Sequence, residues 1–523
     1  MDDAELDVMN TEQDDPLLQP GEHDVAESIS DPIEPVTVRR KINQTQFIII
    51  CIGVLFVLDF AAFFDLIPQT RIFELIVCRN YFDKHHPDRF PYPQDIPEEE
   101  CKIKAVQSQV AYIQAIGSSF DALPSILLLL PYGQLADNPR YGRRFVLRLS
   151  MAGILLGAYW ALLVCSLYRY VPLQAIWIGG FFALIGGGPG VTNAMVMTMV
   201  SDAVDEANRS TVYFQTSLAA VVAQLLAPAI GSAMMMKLGP WIPYFVGTAF
   251  FTLCCFLILL VPETIPIQVS KSSTSHSASS GFDRGSVRGS LEVHRPVSRP
   301  SLAAKMKALF ATAWKETKAI FSNRTVLLIL STFLLSTLGR KQIDLLLLYA
   351  SSRYEITLSK AGFVHSFMAC VSIVLLLLVL PLTSSYLSKT LSLPSNQKDL
   401  WLSKISIVLL TVGSFAIGFS PTFVSMICAV AIYTLGCGFT AVCLSLISGF
   451  VDPKYSARLY SVISLIVMMG TLIGGPLLAG LFNLGLNMGS PAWTGLPFFG
   501  SGVIHIFVLV SVWLIRLPSV QLE

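Results

Sequence analysis

The chain has 523 residues, of which 53% are hydrophobic and only 14% charged, with a formal net charge of +1. Soluble domains carry roughly 25% charged residues, so the composition excludes an ordinary soluble enzyme and points to a polytopic membrane protein. The near-neutral balance also argues against nucleic acid as a partner.

Residues 1–45 are acidic, polar and poor in aromatics, and read as a disordered cytoplasmic tail ending in Arg39-Arg40-Lys41. No cleavable signal peptide is expected, because the first apolar run is long enough to span. Asp14 to Leu18 is similar to an acidic dileucine sorting signal, with Gln13 where an acid is usual.

A spanning helix needs about 20 mostly apolar residues. Twelve runs qualify: 46–66, 105–130, 145–168, 173–200, 211–235, 241–261, 325–349, 361–384, 402–420, 422–449, 459–483 and 494–515. The first six make an N-terminal bundle (46–261) and the last six a C-terminal bundle (325–515). Between them lies a Ser-rich basic linker, 262–324, in which 301–321 has the spacing of a surface amphipathic helix. Its Arg-Pro-x-Ser-like stretches, at Ser298 and Ser301, are candidate phosphorylation sites, and an unmodified linker is the alternative. Residues 516–523 form a short cytoplasmic tail. Most Lys and Arg fall in cytoplasmic segments if both termini are inside, which sets the orientation.

Between spans 2 and 3 lies Gly133 to Arg144, GQLADNPRYGRR. One acid, three arginines and two glycines cannot sit in hydrocarbon, so this is a tight polar turn. Gly133, Asp137, Gly142, Arg143 and Arg144 resemble the signature at the same place in the major facilitator superfamily, Gly-x-Leu-Ala-Asp-x-x-Gly-Arg-Arg, here with extra residues between Asp and Gly. The halves also repeat one another. Gly188-Pro189-Gly190, Asp205 and Arg209 match Gly436-Cys437-Gly438, Asp452 and Arg458, and Pro228–Gly231 matches Pro476–Gly480. The turn between spans 8 and 9 lacks Gly-Arg-Arg, so the charge cluster survives in one half only.

The resemblance implies an all-α membrane protein with twelve transmembrane helices in two pseudo-symmetric six-helix bundles. It implies a secondary active transporter that moves a small organic solute by alternating access, coupled to protons and exporting a metabolite or xenobiotic. The long first external loop and Tyr349 to Tyr354 resemble fungal members of the proton-coupled folate transporter-like branch. Ala227-Pro228-x-x-Gly231 is similar to a degenerate antiporter motif, though span 4 lacks that motif's companion Arg. Expected partners are a small-molecule substrate, protons and the lipid bilayer, with the chain a monomer in the plasma membrane rather than the vacuolar one. No cofactor or metal is expected: the ten cysteines mostly sit in apolar runs as packing residues. Alternatives are a proton-coupled importer of an organic anion, or a transporter-like solute sensor. An enzyme is not expected, for want of any nucleophile–base set, and an ATP-driven pump lacks its phosphate-cradling loop.

Charges within spans are costly and default to functional candidates. Asp59 on span 1 and Arg340 on span 7 both lie about 20 Å from the inner surface at 1.5 Å per residue. They could pair in the central cavity; the local alternative joins Arg340 to Asp344 at i+4. Asp121 on span 2 faces the seam or makes an interhelical hydrogen bond. Asp65 reads as a solvated structural residue and His365 as packing. Cys78 and Cys101, alone in an external loop, are expected to form a disulfide.

Overall fold

The computed structural model describes residues 37–38, 44–91, 94–137, 141–204, 209–262, 267–268, 324–389, 395–448 and 456–515. The dileucine stretch, the phosphorylation candidates, the 301–321 helix, Asp205, Asp452 and the C-terminal tail lie outside them. So do the side chains of Asp137, Arg209 and Arg458.

Among the described residues the secondary structure is helical apart from a two-residue antiparallel pairing of Thr37–Val38 (β1) with Ile267–Gln268 (β2), which joins the end of the N-terminal tail to the start of the linker. The first half comprises α1 (Gln44–His85), α2 (Lys104–Asp137), α3 (Gly142–Ser166), a 3₁₀ turn Leu173–Ile178 running into α4 (Gly179–Phe182), α5 (Gly188–Ala203), α6 (Arg209–Leu238) and α7 (Trp241–Leu260). The second comprises α8 (Arg324–Arg340), α9 (Gln342–Tyr354), α10 (Leu358–Val374), α11 (Leu380–Lys389), α12 (Ser395–Phe419), α13 (Phe423–Leu435), α14 (Phe439–Ser448), α15 (Ser456–Asn487) and α16 (Leu496–Trp513). A π-turn, Leu375–Val379, joins α10 to α11. The halves meet where α2 packs on α15 and α6 on α10.

Eleven helical segments are long and apolar enough to cross a membrane among the described residues. The expected fourth span is the exception, because 173–200 is not one helix. Gly186, Gly187 and Gly188 take φ of 108°, 86° and 66°, which ends α4 and starts α5 afresh. The Ser150 hydroxyl on α3 donates to Gly188 O at 2.8 Å, and a Cβ at Gly186 would strike the α3 backbone at Leu149 and Ser150. The second half breaks at the matching place, between α13 and α14. There a Cβ on Gly436 would come within 2.7 Å of Leu410 N and Ser406 O on α12. Both repeats use glycine to bring two backbones together at the same joint.

α1 differs from expectation at its outer end, since the helix continues to His85 where a loop was expected. Ile67, Ile72, Phe73, Ile76 and Val77 stay buried along this extension. Its polar residues serve a network. Glu74, fully buried, takes Arg71 Nη1 at 2.6 Å, Lys102 Nζ at 2.8 Å and Gln107 Nε2 at 2.6 Å. Arg79 donates to Phe90 O at 3.0 Å and to Gln94 O, holding the chain as it returns. The Cys78–Cys101 disulfide closes the same unit.

This unit reaches the other half. Glu98 Oε1 accepts the Leu358 backbone N–H at 2.7 Å, placing a carboxylate on the N-terminus of α10, and also takes Lys102 Nζ at 2.9 Å. Deeper down, Ser108 Oγ donates to Asn483 Oδ1 at 2.6 Å and Ser119 Oγ to Leu472 O at 2.9 Å. The outer side of the interface is therefore bonded shut from the loop down to mid-depth.

With a sequence separation of 23, the disulfide should stabilise the folded chain by about 3 kcal/mol in the loop-entropy account. Removing it by Cys78→Ser with Cys101→Ser should lower the melting temperature of the purified protein, and both thiols of the unmodified chain should label in intact cells only after reduction. Labelling without reductant would show that the bond does not form.

Candidate functional site

A cavity of about 480 Å³ opens among α1, α2, α3, α4 and α7, and reaches the second half at Lys341, Asp344, Leu345 and Gly475. It lies mostly inside the first bundle and only touches the second. Its walls are apolar and aromatic, with Phe73, Trp177, Tyr244 and Phe251 among them. Trp177 has its indole N–H committed to Ile113 O at 3.1 Å, which leaves its ring as the available surface.

Four charged side chains line this space: Asp65, Asp121, Lys341 and Asp344. Asp121, on the α2 stretch between Ser118 and Pro124, is exposed to it. Asp65 is only 8% exposed, and its Oδ1 has no hydrogen-bond partner among the described residues. It sits in a notch of α7 at Gly247, where a Cβ would collide with the carboxylate. Gln69, one turn further along α1, donates to Tyr244 Oη at 3.4 Å, and Gln114 donates to Thr70 Oγ1 at 2.6 Å. Lys341 Nζ lies 2.8 Å from Asp344 Oδ2.

The sequence-based candidates are distributed differently from expectation. Arg340 turns its guanidinium into the second bundle and donates to Thr440 Oγ1 at 2.8 Å. Asp344 takes Lys341 in its place, because the helix is interrupted at Lys341 between α8 and α9 and the i+3 neighbour is presented instead. Neither the Asp59–Arg340 pair nor the Arg340–Asp344 pair forms, and neither Asp59 nor Arg340 lines the cavity. Asp65, read from sequence as solvated, is buried. The depth argument missed it because α1 continues outward as a covered helix. Tyr244, Gln69, Gln114 and Lys341 carried no motif; only the rarity of a polar residue in a span could have marked them. His365 is buried on α10, consistent with packing.

The charged turn has a structural task that its spacing did not disclose. α2 ends at Asp137 and α3 begins at Gly142, whose φ is 81°, while Gly133 lies within α2 with open space where a side chain would be. Arg144 Nη2 and Arg148 Nη2 donate to Leu259 O at 2.8 and 3.2 Å, at the carbonyl end of α7. Arg143 Nη1 reaches Thr198 O on α5 at 3.4 Å. The Arg144 and Arg148 guanidinium groups thus satisfy a carbonyl that the end of α7 leaves open and complement its dipole.

A helical chain with two glycine-broken repeats, an interface sealed on one side and a largely apolar cavity with a few charged side chains between helices has the form of a membrane transporter, and known proteins of similar sequence and fold agree. Residues 104–440 match the family model described as Major Facilitator Superfamily. Over 94% of its length the chain is 33% identical to the "MFS efflux pump atnC" of Emericella nidulans, covering 92% of that protein. It is 30% identical to the MFS-type transporter aprT of Aspergillus flavus over 86% of the chain and 84% of that protein. To the efflux pump ustT of the same species it is 27% identical, over 86% and 85%. Among solved structures, a D-xylose–proton symporter aligns with a TM-score of 0.57 at 15% identity, over 90% of this chain and 98% of that one. The nucleoside transporter NupG aligns at 0.53 and 14% identity, over 88% and 100%. The chain belongs to the Major Facilitator Superfamily. It is an integral, multi-pass secondary transporter, and not an enzyme.

The notch at Gly247 gives a direct test of where Asp65 lies. Gly247→Ala should lower the stability of the purified protein by about 1–3 kcal/mol, the usual cost of overpacking. Asp65→Ala in the same chain should restore most of it, because the two sites share one space. Additive effects in the thermal-melting cycle would place the carboxylate elsewhere.

Proposed function

We propose that the chain exports a small organic molecule from a fungal cell in exchange for protons, with the cavity at Asp65 and Asp121 as the site where cargo and proton are held. The observation that carries this reading is the cavity itself: three carboxylates line it, two of them without a lysine or arginine partner, while the helices around it are bonded shut on the outer side. The efflux names of the relatives support the outward direction, and their fungal origin supports the source. The long outer loop, a helical extension with a disulfide, supports the likeness to fungal members of the proton-coupled folate transporter-like branch. We place the protein in the plasma membrane as a monomer. In the charged turn, Asp137 is proposed to hold one access state together with Arg143 and Arg144, and the 4–5 and 10–11 turns at Asp205, Arg209, Asp452 and Arg458 to act likewise.

The experiment compares metabolites inside and outside cells with and without the gene, then follows the retained compound in inside-out vesicles carrying an imposed proton gradient. Accumulation that collapses with the gradient is expected. Asp121→Asn should reduce it by about tenfold or more, the scale of losing one charge-assisted contact of roughly 1.5–3 kcal/mol, and Asp137→Asn should also cripple it, each at an unchanged protein level. Uptake in right-side-out cells instead would make the protein an importer, and unimpaired accumulation by both variants would remove these carboxylates from the mechanism.

A further inference from the structure

The cavity's charges do not balance. Three carboxylates face it, on Asp65, Asp121 and Asp344, against one ammonium, on Lys341. Lys341 is already bonded to Asp344. The Arg340 guanidinium, one residue earlier in the chain, is turned toward Thr440. Asp65 and Asp121 are thus left without a protein cation, one of them more than nine-tenths buried with an oxygen that accepts nothing among the described residues. A carboxylate so placed within a membrane is costly unless a cation or proton neutralises it. The other titratable groups near these acids include the Tyr244 phenol on α7, which is next to Asp65, and the His365 imidazole on α10 and Tyr433 phenol on α13, which are near Asp344. Cys165 on α3 adjoins Tyr244. None of these supplies a fixed positive charge.

The walls add a second property. Phe73, Trp177, Tyr244 and Phe251 all line the same space, Phe73 and Tyr244 almost wholly buried in its wall, and aromatic faces attract a cation more strongly as water is removed. Gly157 of α3 and Gly179 of α4 line the same space where the two helices meet, and a Cβ on Gly180 would strike the α2 backbone at Phe120, so these glycines serve close helix packing at the cavity wall.

From this we infer that the cargo is an organic monocation, a protonated amine or quaternary ammonium carried on an aromatic or otherwise apolar body, held between the Asp65 and Asp121 carboxylates and the ring walls. The inference deepens the export reading and rests on it only for the direction of movement. Cargo and proton then compete for the same pair of carboxylates, which is the electrostatic form that exchange of the two requires. An anionic cargo would meet two like charges and one lysine already engaged.

Binding and movement can be measured apart. The full chain in lipid nanodiscs is titrated with tetraphenylphosphonium, with its isosteric anion tetraphenylborate, and with the smaller cation benzyltrimethylammonium. Saturable binding of at least one cation is expected, with the borate weaker by about tenfold or more, the scale on which close charges discriminate partners. Asp65→Asn and Asp121→Asn, both nearly isosteric, should each weaken the cation by a similar factor. Lys341→Gln should strengthen it severalfold by releasing Asp344, a gain that a misfolded protein would not give. Borate binding as tight as phosphonium, no saturable binding of either cation, or cation affinity unchanged in both Asp variants would overturn the inference. Proteoliposomes loaded with the bound cation then test transport separately. Binding without movement would leave the cation inference standing and end the export reading, whereas movement of neutral or anionic compounds with no cation binding would do the reverse.

Discussion

Hydrocarbon solvates no polar group, and every charged residue in this fold answers to that constraint. The answers are of three kinds. At the outer surface, Glu74 is buried but surrounded by Arg71, Lys102 and Gln107, so its charge is met several times over. At the inner surface, Arg143, Arg144 and Arg148 reach helix carbonyls on α5 and α7. Between the two surfaces, Asp65 and Asp121 face a cavity with neither solution available. Protein groups satisfy the first two sets and leave the third unmet, so the third set is where a solute can matter energetically.

The same constraint explains why the helices break where they do. An open backbone inside a membrane is tolerated only against protein or a cavity, and the break at Gly186–Gly188 lies against α3, with Ser150 bonded to Gly188 O. The break at Gly436 lies against α12 in the same way. Close backbone contact without side chains also lets packed helices slide with few clashes. The repeat therefore places one such joint in each half, at equivalent positions. The cavity, by contrast, belongs mostly to the first half, and so does the charged turn. Pseudo-symmetry governs the scaffold, while the cavity and the charged turn lie on one side of it.

Much of the scaffold was legible in the sequence because hydropathy and glycine are local signals. The apolar runs located eleven of the twelve expected spans among the described residues, though not the outer end of α1 or the break within 173–200, and the matched Gly-x-Gly pairs exposed the repeat. The outer end of α1 was not legible, because Arg71, Glu74, Cys78 and Arg79 look like loop residues until Lys102, Glu98 and Gln107 are folded onto them. Of the candidate site, the sequence marked charges within spans but not their neighbours. Counting residues along α1 and α8 set Asp59 and Arg340 at one depth, yet depth does not say which way a side chain turns. Arg340 turned into its own bundle because Thr440 is there to receive it. Asp121 could be singled out, since a carboxylate amid an apolar span is too costly to persist without a task. Asp65 could be noticed but not interpreted, for its environment depends on Gly247, far away in the chain and contributing only an absence.

One helix carries both the cavity and the outer seal. Asp65 and Gln69 lie on α1 within about three turns of Arg71 and Glu74, so the cavity's carboxylate and the core of the outer network share one helix. Glu98 extends that network to the first turn of α10 in the other half. A solute can shift the balance between access states only by binding one state more strongly than the other. A charge arriving at Asp65 acts on a helix whose later turns pack toward α10, so the proposed cation site and the seal share α1, with Pro68 between them removing one rung of the backbone hydrogen-bond ladder. The coupling needs no long relay of side chains. It needs α1 to move as one body, and the buried face from Ile67 to Val77 keeps the segment between cavity and seal packed as such.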